Sequence, residues 1–130
     1  MSGSNPLAKI LALSALAEIV TGIGLAVAPA LVVTSLLAPV TSGLTLSVAR
    51  VAGIALIALG LACWAGWHRV ATGAFRALLA YNALVAAYLV FLGTAGHLGG
   101  VLLWPAAILH MGVTALLLFF RNAETSRTTD

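Results

Sequence analysis

The sequence predicts an all-α membrane protein, an antiparallel bundle of four transmembrane helices with short loops and one short extra helix between the first two. Three observations carry this. The chain has 130 residues, 62% hydrophobic and only 7% charged, whereas a soluble domain needs about 25% charged residues to cover its surface. Four stretches reach the roughly 20 apolar residues that a helix needs to cross the hydrocarbon core. Of the nine charges five lie outside those stretches, and Lys9 sits at the edge of one. Helices follow from backbone chemistry, because in lipid every N–H and C=O must be satisfied internally and an open strand cannot do that.

The first segment runs from about Leu7 to Ala28. It imitates a signal peptide, with Lys9 before an apolar run and Ala26-Val27-Ala28 as a cleavage-like end. Its length, the interrupting Glu18 and the following Pro29 favour a retained helix. The connection from Pro29 to Gly43 is uncharged and apolar. Between its prolines a short helix from about Ala30 to Leu37 is expected, either interfacial or re-entrant. Ser42 is placed to N-cap the second segment, Leu44–Trp67. The turn at Trp67–Arg69 is so short that the second segment and the third, Val70–Leu92, must be antiparallel neighbours. The stretch "GTAGHLGG" reads as a flexible turn into the fourth segment, Val101–Phe120, whose first turn tolerates Pro105. Residues 1–121 form one membrane domain, and 122–130 a polar, frayed tail.

Lys9, Arg69, Arg76, Arg121 and Arg127 fall on one side if four helices alternate. The positive-inside rule then makes both termini cytoplasmic. Trp64 and Trp67 mark the inner interface and Trp104 the outer one, as aromatic belts do. The formal charge of +3 is small and scattered, which argues against nucleic acid as a partner. The single cysteine, Cys63, forms no internal disulfide and reads as a small buried residue. Cys/His spacing suggests no metal site.

Each spanning segment carries one strongly polar side chain at membrane depth: Glu18, Arg50, Asn82 and His110. Arg50 lies about 7 Å outward of its helix midpoint at 1.5 Å rise per residue; the other three sit near theirs. A charge at mid-membrane costs about 2.5 to 3.5 kcal/mol, so such groups turn inward and find partners. Four helical stripes fit a buried face: Ser14, Glu18, Thr21 and Gly22; Arg50, Gly53, Ile57, Gly60 and Trp64; Leu78, Tyr81, Asn82, Val85 and Ala86; Ala106, His110, Val113 and Thr114. Small and hydroxylic residues of this kind suit membrane helix contacts.

Side chains lean toward the N-terminus of their helix, so Glu18 leans inward and Arg50 outward. Glu18 either pairs with Arg50, which is long enough to turn back, or is protonated and bonded to Asn82. Arg50 otherwise snorkels outward or meets His110. Each group also has a structural reading, as clamp, snorkel or helix glue. Tyr81 and Tyr88 read first as packing residues. His68 and His97 fall at opposite faces and cannot join His110 at one metal or haem. A serine, a histidine and an acid occur, but no nucleophile-elbow motif supports hydrolysis.

The stretches "LAEIVTGIGL", "ARVAGIALIALGLACW", "YNALVAAYLVFLG" and "VLLWPAAILH" resemble a group of small bacterial four-helix membrane proteins of unassigned activity. More distantly they are similar to the DoxX-type tetraspan proteins. The resemblance covers about Leu11 to Leu118 and includes Glu18, Arg50, Asn82 and His110. It implies the four-helix fold and a bacterial inner membrane; the DoxX-type relatives imply links to redox membrane complexes. Glu18 is also similar in position to the glutamate of small multidrug exporters. Their aromatic loop pattern is absent here and Arg50 would repel a cation, so transport of that kind is not carried over.

Three functions compete. The first is a binding or accessory subunit of a membrane complex, as homo-oligomer or with another membrane protein; its ground is the near absence of loops outside lipid. The second is a small proton-linked transporter or channel, acting as an oligomer with Glu18 as coupling residue. The third is a quinone- or redox-associated subunit, with its site near His110 and Tyr81. The candidate ligand- or proton-binding residues are Glu18, Arg50, Asn82, His110 and Tyr81. No catalytic residue, metal or cofactor is expected.

Overall fold

The computed structural model describes residues 6–38, 42–64, 72–96 and 99–127, with side chains to residue 123. Every element among them is helical: α1 Pro6–Val27, α2 Pro29–Leu37, α3 Gly43–Trp64, α4 Thr72–Thr94 and α5 Leu103–Arg127. All but α2 are long and apolar enough to cross a membrane. The short helix starts at Pro29 rather than Ala30, using the first-turn position where a missing N–H costs nothing. Pro105 is likewise in the first turn of α5. Ser42 caps α3 as expected, its Oγ accepting from the N–H of Thr45 at 3.2 Å. The turn bearing Trp67, His68 and Arg69, and also His97, lies outside the described residues.

Large apolar side chains cover the outside all round, among them Leu13, Val20, Leu44, Ile54, Leu84, Ile108 and Phe119. Water would not tolerate that surface and acyl chains would. Hydroxyls on these helices mostly fold back on their own backbone, as Ser47 does on the carbonyl of Gly43 and Thr94 on that of Val90.

The bundle is two antiparallel pairs, α1 with α3 and α4 with α5. The first pair is held by close backbone approach. A Cβ added to Gly53 would stand 2.6 Å from the carbonyl oxygen of Gly22 and 2.8 Å from the nitrogen of Ala26; one on Gly60 would stand 2.6 Å from the carbonyl of Ala15. Only glycine allows the axes so near. The second pair packs Gly93 on Leu103 and Trp104, and Arg121 over the ring of Phe75 at 4.9 Å. Contact between α3 and α4, expected to be neighbours, is slight beside these pairings. It includes the Cys63 thiol, 4.0 Å from the carbonyl of Ala74.

At one end Leu7, Leu11, Cys63, Phe75, Leu78 and Leu117 form an apolar core where α1 and α4 start and α3 and α5 finish. Lys9, Arg76 and Arg121 stand at that same end, exposed. At the other end α2 packs on α1, α3 and α5. Its last turn is stitched to the α4–α5 connection, with Gly100 N–H donating to the carbonyl of Leu36 at 2.9 Å and Leu102 N–H to that of Ser35 at 2.8 Å. Past Phe120, α5 continues to Arg127, since Asn-Ala-Glu-Thr-Ser-Arg holds several good helix formers.

Gly53→Val should cost about 2 kcal/mol, the order of overpacking a tight core, because its Cβ neighbours are mostly backbone atoms. Gly112 has open space around it, so Gly112→Ala should stay within about 0.5 kcal/mol of the parent. Reversible unfolding in mixed micelles, followed by circular dichroism, measures both.

Candidate functional site

The polar site is built on a buried amide. Asn82, in mid-α4, is 1% exposed, Glu18 3% and Ser14 4%. The amide nitrogen of Asn82 donates to the Leu78 carbonyl at 2.8 Å and to Ser14 Oγ at 3.2 Å. A carbonyl only accepts, so the Leu78 contact fixes which way the amide faces. Its oxygen, Oδ1, therefore accepts from Nδ1–H of His110 at 2.8 Å. One side chain thus ties α1, α4 and α5 together.

A second branch lies beside the first. The hydroxyl of Tyr81 lies beside the carboxyl of Glu18. The Tyr81 ring meets the His110 ring edge-on, with centroids 5.8 Å apart. Among the described residues no buried side-chain nitrogen or oxygen lacks a partner. Lipid offers no water to make good a missing bond.

Between α1 and α5 this network borders a cavity of about 220 Å³. Ser14, Glu18, Asn82 and His110 supply its polar wall; Ile10, Leu13, Ala17, Leu109, Val113 and Leu116 supply the rest. Leu13, Leu109 and Leu116 also face outward, so the mouth opens toward the acyl chains. A broader groove of about 620 Å³ on α4 and α5 is lined by Ala83, Ala86, Ala87, Val90, Met111, Thr114, Ala115 and Leu118. It has no titratable group.

Four of the five residues singled out from the sequence come together: Glu18, Asn82, His110 and Tyr81. Arg50 does not. It is exposed on α3, and among the described residues it makes no hydrogen bond or ion pair. Register is the reason. Gly22 lies against Gly53 and Ile57, and Ala15 and Ile19 lie against Gly60, which puts Glu18 level with about Ile57 to Leu61. Arg50 is at least seven residues away along α3, about 10 Å at 1.5 Å per residue. Glu18 lies beside Tyr81 rather than Arg50, and His110 bonds to Asn82 rather than Arg50.

The stripes need similar correction. On α3 the buried positions are Ala49, Gly53, Gly60 and Cys63, while Arg50 and Trp64 are exposed. Thr21 is exposed on α1. Ser14 was legible only as a stripe member; its spacing of four from Glu18 was the one sign that it shares the site. Tyr81 stands beside both Glu18 and His110, a polar placement that a packing reading misses. No three of His, Cys, Asp and Glu gather among the described residues to hold a metal ion.

No family model, curated protein or solved structure matches this chain.

A double-mutant cycle of Asn82→Ala with His110→Ala should give a coupling of about 0.6 to 1.7 kcal/mol, the range for interhelical hydrogen bonds in membranes. The same cycle for Glu18→Ala with Arg50→Ala should be additive within about 0.3 kcal/mol. Unfolding free energies in micelles supply both.

Proposed function

We propose that the chain is a small binding or accessory protein of a bacterial inner membrane, which takes up a mostly apolar molecule with one hydrogen-bonding end. The observation that carries this is the cavity between α1 and α5, apolar at its mouth and polar at its wall. An apolar cavity of about 150 Å³ takes up benzene, so this space suits a ring or the head of a longer molecule whose tail stays among the lipids. Such sites are generally apolar with a few placed polar groups.

The collection of Lys9, Arg76 and Arg121 at one end supports cytoplasmic termini through the positive-inside rule. The resemblance to small bacterial four-helix proteins supports the inner membrane. The scarcity of chain outside the spans supports a partner within the bilayer, either a second copy or another membrane protein.

Protein purified in lipid nanodiscs should retain an extractable lipophilic molecule, detected by mass spectrometry of the organic extract. Ala17→Phe, which fills the cavity, should remove it. Ala83→Phe, in the broader groove, should not. Retention unchanged in Ala17→Phe, or lost equally in both, contradicts the proposal.

Proton-linked transport is favoured by one feature, the presence of Glu18 in the wall of that same cavity. On that reading Glu18→Gln abolishes proton-coupled uptake of the retained molecule into proteoliposomes. Flux that persists in Glu18→Gln rules it out.

A further inference from the structure

The cavity wall has unspent hydrogen-bonding capacity of two kinds. His110 Nδ1–H is committed to Asn82. The ring's direct contacts are Asn82 and Tyr81 rather than the Glu18 carboxyl, and a charged imidazole with no carboxylate against it is costly in lipid, so the ring is neutral and Nε2 carries a lone pair. Nε2 has no partner among the described residues. Since no buried side-chain nitrogen lacks a partner, Nε2 is an accessible atom. Ser14 Oγ accepts from Asn82, and its own O–H has no acceptor among the described residues. Both residues line the cavity and both hang on the same amide. The lining residues therefore hold one unused acceptor and one unused donor, linked to each other through Asn82.

A hydroxyl group complements that pair, because it donates and accepts at one oxygen. A ketone or an ether only accepts and leaves Nε2 unused. An ammonium only donates and leaves the Ser14 O–H unused, though it could pair with Glu18. We propose that the cavity selects an uncharged hydroxyl-bearing apolar molecule, a phenol or alcohol, whose O–H donates to His110 Nε2 while its oxygen accepts from Ser14. This rests on the binding reading above and names the class of ligand.

The test uses the full chain in nanodiscs and three probes of one skeleton: para-hexylphenol, its methyl ether and the corresponding benzylamine. Equilibrium dialysis, with empty nanodiscs subtracted, gives the affinity of each. The phenol should bind about tenfold more tightly than the ether, the worth of one net hydrogen bond, and more tightly than the amine. In His110→Leu the phenol should fall to the level of the ether. In Ala17→Phe, which leaves the network untouched, all three should be lost. The phenol–ether comparison in the parent protein stands even if His110→Leu fails to fold. Equal binding of phenol and ether, abolished by Ala17→Phe, overturns the hydroxyl assignment and leaves the binding reading intact. Preference for the amine overturns it in favour of a cation on Glu18. No binding above empty nanodiscs, or binding indifferent to Ala17→Phe, overturns both.

Discussion

The side-chain amide of Asn82 lies in hydrocarbon with no water to fall back on, and the bundle is arranged around giving it partners. Both N–H groups and the oxygen are used, on three different helices. An amide left unpaired there costs several kcal/mol. That penalty, more than the strength of any one bond, makes this arrangement of α1, α4 and α5 the one that persists. It also fixes the His110 tautomer, and so determines which ring nitrogen remains free.

Two kinds of cohesion divide the molecule. Within the α1–α3 pair, glycines bring backbones into van der Waals contact. Across the seam between the pairs, direct packing is sparser than within them; the apolar core joins them at one end, and at mid-membrane the hydrogen bond from Asn82 to Ser14 and the contact of Tyr81 with Glu18 add to the tie. Hydrogen bonds can be swapped for those of a ligand where packed methylenes cannot. A cavity bordering the seam is thus where a guest of the proposed kind would meet groups able to respond to it.

The spans were legible because lipid solvation demands length and apolarity, and both are visible in composition. That Glu18, Asn82 and His110 turn inward was legible for the same reason: hydrocarbon penalises the alternative. Their pairing was not. It depends on how α1 slides along α3, and contacts such as Gly22 with Gly53 set that register only in three dimensions. Arg50 illustrates the loss. It is one residue from buried Ala49 and three from buried Gly53, a step that separates the packed face from the open one. The α5 extension escaped notice because polarity suggested a tail, whereas helix propensity does not depend on the membrane.

The His110 tautomer tests the central claim most directly. Nitrogen-15 solid-state NMR of the protein in bilayers, with His110 assigned by its loss in His110→Leu, reads the protonation of each ring nitrogen. The account predicts a protonated Nδ1 correlated with the Asn82 side chain, and an unprotonated Nε2. A ring protonated at Nε2 with no correlation to Asn82 would mean that the amide does not organise the bundle.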